Sequence, residues 1–528
     1  MVPREFLFPA TLRALSSSLF APPMIPRILL AWSLAGAALS FAAAAPRPNI
    51  LFIVSEDNGP ELGCYGNPHV RTPNLDGLAS EGVRFDRAYV TQAGCSQSRS
   101  SIMTGLYPHQ NGQIGLATWG FRLYRPDIPN LPRSLKSAGY RTGIIGKLHI
   151  NPEEAFPFDF SAIPSGNFAR RGLRDYARHA ETFFRASDEP FFLSVNFPDA
   201  HQPWTRQVDG LPANPLTGKD VTPMAYMGVD RPDLRELVAD YYNSMSRLDT
   251  LVGDVLAALA RAGKAENTLV LYIGDHGADM LRGKRTCYEG GVRIPLLVRW
   301  PAGVRPGQVR RELVSTVDFM PTVLELAGAA LPPGLAGRSL LPLLKGEGAG
   351  WRTHLFTEFH THAAKANFWP QRAVRDDRFK LIENLLPGEV NPGYEFTLHH
   401  LDADLGAAIA AAPAEVRAAY ARMEKPPRWE LYDLRSDPYE FRDLATDPAH
   451  AATLKRLQAE LGRWRSETSD PLLNPANLAR LKAEIGGATK QDARAQSWDY
   501  PYYFNGQEPP ARSTASEPST PRKKRKEK

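Results

Sequence analysis

NILFIVSEDN, residues 49–58, carries the reading of the fold. Asn49–Val54 is apolar almost throughout, so the strand it predicts is covered on both faces, as at the centre of a parallel sheet clad with helices. Ser55-Glu56-Asp57-Asn58 follows at once. It puts two carboxylates at a carboxyl-terminal strand end, where open α/β sheets form their ligand crevice. Working outward, the pattern repeats: Thr142–Gly146 leads into Lys147-Leu148-His149, Phe191–Phe197 into Asp199-Ala200-His201, and Thr268–Ile273 into Gly274-Asp275-His276-Gly277. One such cluster is an ordinary turn composition, but four at matching strand ends predict one shared site.

Helices fill the intervals. Thr72 is placed to cap a helix with Pro73 in its first turn and Leu75, Leu78, Ala79 and Val83 facing inward. Others are expected near 171–186 and 232–262, the second with Leu237, Tyr241, Met245, Leu248, Val252 and Val255 at helical spacing. With a further strand at Ile294–Arg299, residues 46–365 read as one large α/β domain built on a mostly parallel sheet. Strands at Arg378–Ile382 and Trp429–Tyr432 and an amphipathic helix at Ala451–Arg465 predict a smaller α+β domain over 366–500, before a basic, disordered tail at 501–528. No internal repeat is present.

Charge argues against a nucleic-acid partner. The 528 residues carry a net charge of +6, yet seven Lys/Arg against two acids lie between Arg512 and Lys528, and three Arg against one Glu precede Pro46. Residues 46–511 are therefore left at −1, so the basicity belongs to the ends. Three cysteines, Cys64, Cys95 and Cys287, are too few for a disulfide framework and fit no zinc spacing. Arg27 and the apolar run Ile28–Ala45, ending in small residues, read as a secretory signal (1–45, with Met24 as an alternative start) cleaved near Ala45; an uncleaved anchor is the alternative. No later segment is apolar for long enough to span a membrane, and the exported chain lacks Asn-x-Ser/Thr. A periplasmic or secreted bacterial protein fits this better than a lysosomal one.

The segment Ala93–Gly112, AGCSQSRSSIMTGLYPHQNG, together with RPNILFIVSEDNG at 47–59, the Glu56-Asp57 pair and the Gly277-flanked Asp275-His276 pair, resembles the formylglycine-dependent sulfatases of the alkaline-phosphatase superfamily. HQNG at 109–112, RTGIIGK at 141–147, PFDF at 157–160, RWELYD at 428–433 and ATDP at 445–448 extend the resemblance to the branch that cleaves N-sulfoglucosamine. It implies an alkaline-phosphatase-like fold. It also implies that a maturation enzyme oxidises Cys95 to formylglycine, whose hydrate attacks sulfur through one hydroxyl and expels sulfate through the other. A thiolate would be repelled by an anionic sulfuryl group and would have no comparable way back.

By the same resemblance, Glu56, Asp57, Asp275 and His276 are the metal ligands. Three carboxylates suit Ca²⁺ first, and the histidine keeps Mg²⁺ and Mn²⁺ as alternatives. Glu56 stands where the family usually has Asp, and His276 where many members have Asn. Arg99 is expected to hold the formylglycine oxygen, Lys147 and Lys284 the sulfate oxygens. His149 is assigned as base and His201 as acid, roles that can be exchanged. Gln97 stands where the family prefers Pro or Ala, which bears on maturation. His360, His362, Trp369, Arg372 and Arg375 are further sugar-binding candidates, with inter-domain packing as their alternative.

The expected substrate is therefore a sulfated saccharide, in first place the N-sulfo group of glucosamine in heparan-type chains. The alternatives are an O-sulfatase on other glycans, a two-metal phosphoryl-transfer enzyme, and a non-catalytic polyanion-binding protein of the same fold.

Overall fold

The computed structural model describes residues 47–401, 403–488 and 497–510. The leader and residues 511–528 lie outside them; residues 501–510, expected as the start of a disordered tail, are instead ordered by the short Tyr500–Tyr503 helix, whose Tyr500 and Tyr503 pack into a core with Phe121 and Trp498. The main sheet has nine strands: β1 (Asn49–Ser55), β2 (Val83–Tyr89), β3 (Arg141–Gly146), β4 (Phe160–Ala162), β5 (Phe191–Asn196), β6 (Thr268–Gly274), β7 (Arg293–Arg299), β8 (Gln308–Arg310) and β9 (Val314–Ser315). Their order is β4-β3-β5-β1-β6-β7-β2-β8, with β9 beside β2. Only β7 runs against the rest: it is antiparallel to both β6 and β2, whereas β1 pairs in parallel with β5 and β6.

β1 is central, as its apolar run requires. Leu51 and Ile53 pack into one core with Tyr241, Met245 and Leu248 of the Pro232–Arg261 helix, while Ile50, Phe52 and Val54 face a second core with Leu296 and Phe319. Each such side chain taken fully from water contributes about 1.5–3 kcal/mol, so the two cores fix the register of the strand whose end carries Glu56 and Asp57.

A second, antiparallel sheet follows: β10 (Leu355–Phe359), β11 (Gln371–Arg375), β12 (Phe379–Asn384) and β13 (Trp429–Asp433). The Ala451–Glu467 helix supplies Leu457, Leu461 and Trp464 to the core that Val374, Leu381 and Leu431 share.

Some local expectations change. The helix expected from 171 starts at Asp175, because Gly172 takes the left-handed region (φ 58°) and its carbonyl closes a turn onto the Asp175 N–H. Thr72 occupies the cap position but does not cap: its hydroxyl accepts from the Gly63 N–H (2.9 Å) and donates to Asp76 Oδ1 (3.0 Å). The helix behind the cysteine is Cys95–Thr104, stopped by Gly105 at φ 66°. β2 escaped the sequence reading because Arg84, Asp86 and Arg87 interrupt its apolar positions. Among the described residues, no helix is long and apolar enough to cross a membrane.

Candidate active site

Because all but one strand of the main sheet run the same way, the polar clusters after β1, β2, β3, β5 and β6 reach one edge. Main-chain bonds lock the strand ends together: Glu56 N–H donates to Asp199 O (3.0 Å), Ala200 N–H to Glu56 O (2.7 Å) and Asp275 N–H to Ser55 O (2.9 Å). Asp57 and His149 sit at positive φ (47° and 61°), a conformation that costs a residue with a Cβ about 1–3 kcal/mol and is concentrated at functional sites.

Arg99, one turn into the Cys95 helix, is the hub. Its guanidinium donates to Glu56 Oε1 (2.6 Å), Asp275 Oδ2 (3.2 Å), Asn196 Oδ1 (2.7 Å) and the Lys147 carbonyl (3.1 Å). Lys147 Nζ donates to Glu56 Oε2 (2.8 Å), and Lys284 Nζ to both Asp57 oxygens (3.0 Å each). Burial pushes all three carboxyls up, but neighbouring cations outweigh it and hold them ionised: Arg99 and Lys147 for Glu56, Lys284 for Asp57, His276 and Arg99 for Asp275.

Cys95 Sγ lies at the centre, 3.4 Å from His276 Nε2. It belongs to two donor groups, one with Glu56, Asp57 and His201 and one with Asp275 and His276, within each of which the ligand atoms lie no more than 4.8 Å apart.

Asp57, Asp275 and His276 are spaced as ligands of one cation would be, whereas Glu56 is grouped with Asp57 and His201. Asp57 Oδ1 is 3.2 Å and Asp275 Oδ1 3.6 Å from His276 Nε2, close to the spacing of about 3 Å between neighbouring ligands that share an ion at 2.3–2.6 Å. His276 Nδ1–H donates to Gly277 O (2.9 Å), which turns Nε2 toward the carboxylates. Burial works against a charged imidazole, yet Asp275 and Asp57 outweigh it and raise His276 to about 9.

Two more histidines complete the cluster. Both ring nitrogens of His149 are buried without a hydrogen-bond partner, and burial with Lys147 close by depresses its pKa well below 6.5. His201 donates from Nδ1 to Gln202 O (2.6 Å), which leaves Nε2 for proton exchange. Its ring stacks on Phe168 at 4.0 Å between centroids, and Phe168 also faces Lys147 Nζ at 5.0 Å. Burial lowers the His201 pKa, with Asp57 acting against it.

With this geometry in view, similarity to known proteins becomes informative. The sulfatase family profile matches residues 48–329, more than half of the chain. The chain belongs to the sulfatase family. A second profile, N-sulphoglucosamine sulphohydrolase C-terminal, matches residues 274–399 of the sulfatase. Human N-sulphoglucosamine sulphohydrolase is 34% identical over 473 residues, covering 82% of this chain and 92% of the human protein. An ulvan-active sulfatase of Formosa agariphila is 29% identical, with 82% of each chain covered. A solved structure in complex with its substrate D-glucosamine-2-N,6-O-disulfate superposes with a TM-score of 0.61 at 22% identity, covering 80% of this chain and 98% of the other. These matches establish an enzyme of the sulfatase class on the alkaline-phosphatase-like fold expected from the sequence.

All ten residues singled out for chemistry meet in the sulfatase's one cluster: Glu56, Asp57, Cys95, Arg99, Lys147, His149, His201, Asp275, His276 and Lys284. Most of the additional sugar-binding candidates have structural partners instead. Arg372 is buried and clamps Asp470 (2.9 and 2.8 Å), His360 lies between Arg372 (3.0 Å) and Gln92 (3.2 Å), Trp369 donates to Asn384 (3.1 Å), and Arg375 pairs with Glu289 (2.9 Å). Only His362 of that set lies among the site's charges.

Sequence reasoning missed Asn196, Phe168 and the Asp199 clamp. Asp199 is held by Arg170 (2.7 Å) and Arg247 (2.7 and 2.8 Å), which fixes the turn that carries His201. Arg247 was visible as a charge on the buried face of the Pro232–Arg261 helix. Phe168, in an irregular segment, gave no periodic signal. Cys64 and Cys287 are free thiols, and burial pushes both up to about 12.

Proposed function

We propose that this sulfatase is an exported hydrolase that removes the N-sulfo group of glucosamine at the non-reducing end of heparan-type chains, after a maturation enzyme has converted Cys95 to formylglycine. The observation that carries the chemistry is the placement of Cys95 Sγ within reach of Glu56, Asp57, His201, Asp275 and His276, with Arg99, Lys147 and Lys284 interleaved. The choice of an N-sulfated sugar is supported by the match over residues 274–399, which contains Lys284 and His362, and by the 34% identity to the human sulphohydrolase.

Glu56, Asp57, Asp275 and His276 would hold one hard divalent cation, Ca²⁺ first with Mg²⁺ or Mn²⁺ as alternatives, which when bound polarises the nucleophilic oxygen and offsets sulfate charge. Oxidised and hydrated, residue 95 would supply one hydroxyl to attack sulfur and a second to release sulfate as the aldehyde re-forms. Four of the five Arg99 N–H donors go to Glu56, Asp275, Asn196 and Lys147 O, which fixes the strand ends around residue 95, and the fifth, on Nη2, is left for the formylglycine oxygen. Lys147 and Lys284 neutralise the sulfuryl oxygens, a charge interaction strengthened where water is excluded. His149, held neutral, accepts a proton from the residue-95 hydroxyl. His201, after taking up a proton from water on Nε2 while Nδ1–H stays on Gln202 O, delivers that proton to the leaving nitrogen, its ring plane set by Phe168.

Sulfate release from N-sulfoglucosamine, 6-O-sulfated glucosamine and aryl sulfates tests the proposal. Turnover of the sulfamate ahead of the others is expected; activity confined to O-sulfates rejects the N-sulfo assignment.

A further inference from the structure

Among the described residues, His362 is the one buried histidine of the crevice that none of the steps above uses. It follows β10, and its main chain is fixed on both sides. The carbonyl of Thr361 accepts from Gln97 Nε2 (2.6 Å) and Gln92 Nε2 (3.1 Å), and the His362 carbonyl accepts from Leu116 N–H (3.0 Å). The ring is not fixed in this way: His362 Nδ1 is buried with no hydrogen-bond partner, although the residue is only 7% exposed. Gln97 Oε1 is unpartnered beside it. Gly94 brings both atoms against the nucleophile turn, since a Cβ there would stand 2.6 Å from Gln97 Oε1 and 3.1 Å from His362 Nδ1, one residue before Cys95.

A buried imidazole nitrogen without a partner costs about 1–3 kcal/mol unless something arrives to satisfy it. A rigid backbone carrying an unpaired polar ring beside the nucleophile is the arrangement of a preorganised ligand contact. The ring lies among the charges of Lys284, Arg285, His276 and Asp279, and burial together with the two cations keeps it neutral. A neutral imidazole offers one donor and one acceptor. It adds no charge for sulfate oxygens, which the lysines serve, but it matches a hydroxyl, which also donates and accepts.

We propose that His362 is the specificity residue that reads a sugar hydroxyl next to the sulfated position, so that the site favours saccharide sulfates over aryl sulfates; this rests on the saccharide-sulfatase reading above. The test compares His362→Ala and His362→Asn with the parent chain on N-sulfoglucosamine and on an aryl sulfate, with the aldehyde content at residue 95 measured in each preparation. Loss of one hydrogen bond between neutral groups lowers kcat/KM on the sugar about tenfold, the aryl sulfate stays within about twofold, and Asn, whose amide can occupy the Nδ1 position, recovers part of the loss. An equal fall on both substrates, or no fall on the sugar, overturns the proposal. Should the parent chain hydrolyse no sulfate at all, the functional reading falls separately, and His362 is then judged by calorimetry of glucosamine N-sulfate on the Cys95→Ala chain. Weaker binding when His362→Ala is added upholds the contact; unchanged or absent binding overturns it.

Discussion

Arg372→Ala separates a sugar-binding arginine from a structural one. Arg372 has no exposed surface and donates to Asp470 through Nε (2.9 Å) and Nη2 (2.8 Å), with Glu358 at 3.7 Å. The neighbouring groups are committed to this arrangement: Asp470 also accepts from Arg465 (2.7 Å), and Glu358 from His109 (2.5 Å). Burial favours protonated carboxyls here, but His109 and Arg372 hold Glu358 down at about 2, and Arg372 holds Asp470 far below the carboxylate range. Removing the guanidinium takes away two charge-assisted bonds, each contributing about 1.5–3 kcal/mol, and leaves Asp470 half-paired in a dry interior. Breaking a buried pair from one side costs about 3–5 kcal/mol, so a loss of that size is expected in urea unfolding, seen as a lower midpoint at unchanged slope. The double variant Arg372→Met with Asp470→Asn should be less damaging than the two single changes summed, because it removes both charges together. KM for the sulfated sugar should stay within about twofold in the folded protein. A stability change below about 1 kcal/mol with a tenfold rise in KM would refute the structural role and return Arg372 to the substrate.

Acid sensitivity follows from His360, which burial and the Arg372 charge push down to about 3. Between that value and about 6.5 the unfolded chain binds a proton that the native state does not, so this contribution is present above pH 6.5 and lost as pH falls toward 3. Replacing His360 with Asn should flatten the midpoint-against-pH curve over that window, and an unchanged slope would contradict the assignment. Lys284→Ala removes the cation from both Asp57 oxygens; kcat should fall about 100- to 1,000-fold on sugar and aryl sulfates alike, measured with aldehyde content matched. Chelation should abolish turnover, with one divalent ion per chain restoring it. Two tightly bound ions by elemental analysis would favour a phosphoryl-transfer site instead. Phe168→Ala frees the His201 ring and should lower kcat/KM about tenfold without changing the unfolding midpoint, and an equal loss of stability would make Phe168 a packing residue.

Much of the architecture was legible because it depends on local signals. NILFIV announces a strand covered on both faces, and the structure pairs it in parallel with β5 and β6. The polar clusters at the ends of β1, β3, β5 and β6 predicted convergence, and it follows from the strands sharing one direction. What stayed hidden depends on partners distant in sequence. The capping role of Thr72 was lost to Gly63 and Asp76, a competition no local pattern shows. Arg372 and His360 looked like anion-reading residues by type, but their partners, Asp470 and Gln92, lie 98 and 268 residues away. Gln97 was read only as a departure from the family pattern; its amide donates to Thr361 O, a contact that exists only once β10 has docked beside the Cys95 helix.

Mass analysis of the peptide that carries residue 95, on protein from its native host with measured sulfate release, tests the central claim most directly. The account predicts an aldehyde in place of the Cys95 CH₂–SH, in proportion to activity across preparations. An active preparation whose residue 95 is entirely thiol would contradict it.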